Sequence, residues 1–482
     1  MKKTFLKIAT GVLLIGLSVS CTKDFDTINI DPNNPANPNT ELLISNAIRQ
    51  IGSQTSGIAG WAKDIYPQYV GEIQYTNESR FQNKFYDFSP FYNGPLADIQ
   101  TVIDLNTDPA TSGLPYVLIG GSNANQLAVS RILRSFYYLH MTDRWGMLPY
   151  SEALQGKANL VPKYDTQKEI YTGIFAELKA AIAQINTDEE LNGDILFDGD
   201  LDHWTKWANS LRMVAALHLA DVDPATAKAE FLAAQADGVL ESGDEDVFFK
   251  FLPDANNQNP LYNNYFVTKR TDYAVSETIM EVLTDLSDPR LPVYAEEAVS
   301  SGKYVGMPYG LANASNQYTV ETVSLIGNKF TAQDYHMPIT TYSQIQFMLA
   351  EAAFRGWVSG SPSEYYKKGI EASFAMHDVV APASYYLQPG VAYNATKGLE
   401  LIITQKWLAN YQGNGYESWV DWRRTGFPVL DAGPAPLSIH KGIPYRQAYP
   451  NTESGLNGAN YDAAISAQGA DELNTKLWWD TK

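Results

Sequence analysis

The chain has 482 residues, with 35 lysines and arginines against 54 aspartates and glutamates, and so a formal net charge of −19. That balance excludes the basic surface on which nucleic-acid binding depends, and 45% hydrophobic residues exclude disorder over most of the chain. One cysteine and six unclustered histidines exclude a disulfide framework within the chain and speak against a His/Cys metal centre, so neither metal nor cofactor is expected.

The N-terminus reads as an address. Lys2, Lys3 and Lys7 precede an uncharged apolar run over 8–19, too short to span a bilayer, which ends in Ser18-Val19-Ser20 before Cys21. Residues 1–20 are therefore expected to be a signal peptide. With cysteine directly after the small residues, the segment resembles a bacterial lipoprotein signal, although Ser18 stands where leucine is usual and Leu17 lies one place earlier. Cys21 is then the lipidation site, and each methylene buried in the bilayer adds about 0.8 kcal/mol to the anchor. Thr22-Lys23-Asp24 is similar to the charged stretch that directs lipoproteins of the Bacteroidetes to the cell surface. Residues 21–40, rich in proline and asparagine, read as an extended leader, and 41–482 as a single folded body.

Helical periods dominate the body. One stripe runs Ala128, Ile132, Phe136, Leu139, after Gly120-Gly121-Ser122. Thr166 and Glu169 form a capping box ahead of Ile170, Ile174, Leu178, Ile182 and Ile185. Trp204, Trp207, Ala208, Leu211 and Ala215 follow an Asp-rich turn over 198–202, with Asp202 expected as the N-cap. That turn resembles the opening of a calcium loop, but His203 and Asn209 stand where glycine and glutamate are needed. The best-formed pair is predicted over 342–357 and 364–377, with small Gly369 and Ser373 allowing close approach, and Leu399, Ile402, Ile403 and Trp407 mark a further helix. The pair has nearly tetratricopeptide length, yet no tandem consensus recurs. Residues 78–120, 240–272, 288–335 and 430–475 show neither period and are rich in Asn, Gly, Pro, Tyr and Phe; loops of that length usually carry function. The expected fold is mainly α, a scaffold of tetratricopeptide-like helix pairs packed against a loop-rich irregular layer.

Several motifs, in order, resemble the SusD/RagB family in its SusD-like branch. They are Asn29-Ile30-Asp31-Pro32-Asn33, Asp143-Arg144-Trp145-Gly146 and Pro149-Tyr150-Ser151-Glu152-Ala153, then Lys206-Trp207-Ala208-Asn209-Ser210-Leu211-Arg212. Met337-Pro338-Ile339-Thr340-Thr341-Tyr342 leads to Ala350-Glu351-Ala352, and Glu417-Ser418-Trp419 to Asp421-Trp422-Arg423-Arg424-Thr425-Gly426. Pro444-Tyr445-Arg446-Gln447-Ala448-Tyr449-Pro450 completes the series. The resemblance implies a surface lipoprotein of the outer membrane that is not an enzyme. It would bind a nutrient, commonly an oligosaccharide and in some members a peptide, over a SusC-like TonB-dependent transporter.

Within these motifs Arg144, Arg423 and Arg424 read as structural cations that fork onto carboxylates and carbonyls, and Asn209 and Arg212 as hydrogen bonders on a helix surface. No nucleophile elbow, Walker loop, His-Glu-x-x-His pair or Rossmann glycine set is present. Paired carboxylates of a glycoside hydrolase are invisible to spacing alone, and an adhesin would fit a lipid anchor equally well. A sugar binder needs flat aromatic rings edged by amides and charges. Two loop regions supply them: one with Trp61, Tyr75, Asn77, Arg80, Phe81, Tyr86 and Tyr92, the other with Tyr304, Tyr309, Asn313, Asn316, Gln317 and Tyr318. From these, Trp61, Tyr75, Arg80, Tyr304, Tyr309, Asn313 and Gln317 are taken as the ligand-binding set. For any single aromatic, core packing is the commoner fate. The acidic net charge disfavours a polyanionic glycan, since like charges repel at long range.

Overall fold

The computed structural model describes residues 38–53 and 62–482. The signal peptide, Cys21, most of the leader and Trp61 lie outside the described residues. Half of the structure is helix, and the longer helices are numbered here. The first, α1 (Thr40–Arg49), starts where the Asn39 side chain accepts the Glu41 amide at 3.0 Å. Next comes α2 (Pro95–Thr107), within a stretch expected to be irregular. Its apolar stripe of Leu96, Ile99 and Val102 is short, and Pro95 at the first helical position sets the start. The third, α3 (Asn123–Trp145), is capped by Ser122, and α4 (Gln167–Gln184) by the predicted Thr166/Glu169 box.

The next helix, α5 (Leu201–His218), is capped by Asp200, not Asp202. The Asp194 carboxylate gathers the amides of Leu196, Phe197 and Gly199. That fold of the turn leaves Asp200 to accept the His203 amide at 3.0 Å. Two more helices, α6 (Pro224–Asp237) and α7 (Glu277–Asp285), lead to the closest pair, α8 (Tyr342–Phe354) and α9 (Pro362–Met376). There Ser343 donates to the Gly369 carbonyl at 2.7 Å, and a Cβ at Gly369 would stand 2.8 Å from the Phe347 ring. The small residues therefore set the helix spacing, as expected. The last three are α10 (Gly398–Ala409), α11 (Gly415–Thr425) and α12 (Gly458–Gln468), the last again in a stretch expected to be irregular.

Helices pair with their sequence neighbours, α3 with α4, α5 with α6 and α8 with α9. Between them, among the described residues, run three antiparallel two-stranded ladders. They are β1 (Val70–Glu72) with β5 (Tyr273–Val275), β2 (Leu148–Pro149) with β3 (Tyr164–Asp165), and β4 (Val247–Lys250) with β6 (His336–Thr340). One apolar core runs from Ile44 to Trp479, with smaller clusters around α9–α10 and behind β1 and β5.

Five helices meet at a buried chain of charges. His218 of α5 lies between Asp143 of α3 (3.2 Å) and Glu417 of α11 (3.0 Å). Lys406 of α10 bridges Glu417 and Asp421, both at 2.8 Å. Arg424 joins Asp421 at 2.7 Å and forks onto Glu351 of α8 at 2.6 and 2.8 Å. Burial alone would discharge these groups; instead Glu417 and Asp143 hold His218 charged, its pKa raised to about 9. Glu351 is likewise held down to about 2, because Arg424 and Arg355 outweigh its burial. Arg423 donates to the carbonyls of Asp143 and Tyr445 and stacks 3.6 Å over the Trp419 ring, while Arg144 bonds Gln447 at 2.7 Å. These arginines are structural, as read from sequence. Asn209 and Arg212, expected on a helix surface, are instead buried. Asn209 donates to the carbonyls of Asp237 and Gly238 and Arg212 pairs with Asp237, so together they fasten α5 to the end of α6.

Breaking one member of such a chain strands its partner charges. Glu351→Gln is expected to lower stability by about 3–5 kcal/mol in urea denaturation. A loss under about 1 kcal/mol, the worth of an exposed pair, would refute the network's structural role.

Candidate functional site: an aromatic ledge beside a short ladder

The β1–β5 ladder holds the loops that carry the exposed rings. Pairing of Glu72 with Tyr273 and of Val70 with Val275 fixes the two strands. From the end of β1 the chain turns through Tyr75, in the left-handed region at φ 56, and the ring stands 68% exposed. The turn is closed by Glu72, whose carboxylate accepts the Ser79 amide at 2.8 Å and its hydroxyl at 2.7 Å.

On the β5 side, a π-helix over Asn263–Val267 leaves Phe266 and Val267 about half exposed, with the Tyr262 ring 5.3 Å from that of Phe266. Such wide turns recur at functional sites. Lys269 and Thr271 then take left-handed conformations, at φ 53 and 45. Non-glycine residues keep that backbone only where their surroundings enforce it, and here Asn264 does so. Its carbonyl accepts the Arg270 amide at 2.9 Å, and its side chain bonds both the amide and the carboxylate of Asp272. Asp272 in turn pairs with Arg270 at 2.9 Å, which places that guanidinium 5.3 Å from the Tyr75 ring centre. The outcome is an exposed ring backed by an oriented cation, with Phe266 close by in the chain.

The second predicted loop is brought to the same ladder. Met307 donates to Val275 and accepts from Glu277, both at 2.8 Å. Ile73, Ala274, Met307, Ala314 and Val323 make a small core beneath, on which Tyr318 packs. Asn313, left-handed at φ 55, and Gln317 are exposed above it. A third loop closes in as well. The Arg80 Nε donates to the Ala435 carbonyl at 2.8 Å, and a Cβ at Gly310 would meet the Ala432 oxygen at 3.0 Å.

The predicted set therefore divides. Tyr75, Asn313 and Gln317 are exposed on neighbouring loops of this ladder. Arg80 is half-buried and ties two loops together. Tyr304 is half-buried against the main core, its hydroxyl pKa raised by burial and by Glu297 and Glu296. Tyr309 requires correction as a platform: only 6% of it is exposed, and its hydroxyl donates to the Ile65 carbonyl at 2.8 Å. Phe81 and Tyr92 of the first region serve the interior in the same way, Tyr92 donating to the Pro149 carbonyl. Sequence reasoning missed Tyr262, Phe266 and Arg270. Their signal was aromatics beside cations inside the aperiodic stretch 240–272.

The SusD-like family, described as starch-binding and associating with the outer membrane, matches residues 32–450. The chain belongs to this family. A solved chitin-binding protein is 27% identical over 92% of this chain and 99% of its own, with a TM-score of 0.76. A SusD homologue from Bacteroides fragilis is 24% identical over 91% and 99%, at 0.77. A chitin-binding SusD homologue from Flavobacterium johnsoniae is 23% identical over 92% and 98%, at 0.74. These likenesses extend the SusD-like fold over the helical scaffold and the irregular layer alike. No curated protein is significantly similar to the chain in sequence.

Glu72 makes the ledge of this SusD-like protein sensitive to pH. Burial raises its pKa to about 7 despite the Ser79 hydrogen bonds. The folded chain thus holds a proton between about 4.5 and about 7 that the unfolded chain releases, and stability falls as pH rises through that window. Glu72→Gln, neutral and still able to accept from Ser79, should flatten this part of a urea-denaturation series against pH. An unchanged profile would refute the assignment.

Proposed function

We propose that this protein captures an oligosaccharide at the outer-membrane surface and delivers it to a SusC-like TonB-dependent transporter, without altering the cargo. The observation that carries the reading is the exposed Tyr75 ring with Arg270 fixed beside it. A sugar offers an apolar C–H face ringed by hydroxyls, which asks for an exposed ring with donors at its edge. Tyr75 and Phe266 supply apolar faces, and Arg270, Asn313 and Gln317 supply edge donors. Glu72 and Asp272 are already engaged in holding the loops. The family's description and the chitin-binding relative support a carbohydrate ligand. Lipidation at Cys21 would hold the protein at the membrane while the leader gives it reach.

The test is calorimetry of the full chain in detergent against starch- and chitin-derived oligosaccharides, with the sugars analysed afterwards. The expected outcome is binding with ligand recovered intact, and a loss of about 2 kcal/mol, or about thirtyfold in affinity, in Tyr75→Ala/Phe266→Ala. Undiminished binding in the double variant would overturn the ledge, and shortened sugars would overturn capture without chemistry. In cells, Cys21→Ser should release the protein from the membrane fraction; retention after salt washing would overturn the anchor.

A further inference from the structure

Apart from the ledge, a concavity of about 740 Å³ lies between the end of α1 and the segment that follows β4, within the range of about 300–1,000 Å³ typical of small-ligand sites. Its charged lining residues among those described are Arg49 and Lys250, with no carboxylate. That is contrary to the composition, since acids outnumber lysines and arginines 54 to 35 along the chain. The nearest acid in this segment, Asp254, is turned back onto its own loop, where it accepts the Asn256 and Asn257 amides at 3.0 and 3.2 Å. Arg49 is exposed but oriented, since its Nε and Nη2 both donate to Asn46 Oδ1.

The remaining lining is of two kinds. Asn256, Gln258 and Asn263 bring amides, and Gln258 is oriented by accepting from Gln333 Nε2 at 2.9 Å. Leu252, half exposed beside buried Phe251, makes an apolar wall. Asp98 stands behind Arg49, accepting from Asn46 at 2.6 Å, but does not line the groove. Amides recognise hydroxyls, an apolar wall takes the C–H face of a sugar ring, and two cations in a described lining that holds no carboxylate favour a negative substituent. We infer that this groove is a second glycan site, selective for a sugar that carries a carboxylate or a sulfate ester. It does not depend on the Tyr75 ledge. Asn263, at its edge, is the first residue of the π-helix that bears Phe266. The net charge disfavours such a ligand only at long range, and at physiological salt that repulsion is screened beyond about 8 Å.

The test titrates the full chain, by calorimetry, with a galacturonate oligomer, a sulfated galactan oligomer and a neutral galactan oligomer. It is repeated with Arg49→Gln/Lys250→Gln and with Tyr75→Ala. The inference expects at least one acidic oligomer to bind more tightly than the neutral one, with affinity falling as salt is added. The double variant should weaken acidic binding about tenfold or more, the worth of lost charge-assisted contacts, while Tyr75→Ala leaves it unchanged. Which acidic oligomer binds distinguishes carboxylate from sulfate. The proposal is overturned if neither acidic oligomer binds, if the double variant binds them undiminished, or if it loses neutral and acidic ligands equally. It is also overturned if Tyr75→Ala alone abolishes acidic binding. Loss of starch- or chitin-oligomer binding in Tyr75→Ala bears on the ledge only.

Discussion

The buried charge chain from Asp143 through His218, Glu417, Lys406, Asp421 and Arg424 to Glu351 is the constraint on which the rest of this structure depends. A helix buried on most sides can slide or rotate at small cost if its neighbours are only apolar. Charges removed from water cannot, because each must keep its partner or bear an uncompensated desolvation cost of several kcal/mol. Since the five helices α3, α5, α8, α10 and α11 each contribute a member, their mutual positions are tied by geometry as well as by volume. Alternation of sign along the chain explains how His218 stays charged in the interior and why Glu351 resists protonation.

The functional layer hangs on that frame through short, specific attachments. The β1–β5 ladder is only three residues long on each strand. From it extend the turn closed by Glu72 and Ser79, the left-handed segment fixed by Asn264 and Asp272, and the strap joined at Met307. The first two attachments use buried polar side chains to hold backbone and the third uses backbone hydrogen bonds at Met307, so the rings and amides left outside are held in place without contributing to the core. Rings such as Tyr309 and Phe81 do the opposite work, filling the space beneath the loops. The two uses of aromatic residues stand side by side in the same few residues.

Charge shows a similar division between the whole and the part. A net charge of −19 describes the far field of the molecule. It does not describe a groove whose own acids are folded away, as Asp254 is, and whose exposed charges are Arg49 and Lys250.

Much was legible in the sequence, and for local reasons. The capping box at Thr166 and Glu169, the Ser122 start of α3 and the small-residue seam at Gly369 each involve residues within a turn or two of one another, so spacing determined them. Ordered motifs such as Asp143-Arg144-Trp145-Gly146 placed the chain in its family. The α2 helix was hidden because its apolar stripe is brief and begins at a proline. The Asp200 cap was hidden because Asp194, outside the motif, organises the turn. Exposure was the least legible property: Tyr75 and Tyr309 have similar loop surroundings in sequence, yet one faces solvent and the other donates to Ile65, 244 residues away in the chain. Periodicity and capping depend on neighbours along the chain, and for that reason the sequence alone determined the helices that carry a full apolar stripe, such as α3, α4, α8 and α9. Which ring is buried, which cations line a groove and which loops meet depend on contacts between distant segments, and only the tertiary structure decided them.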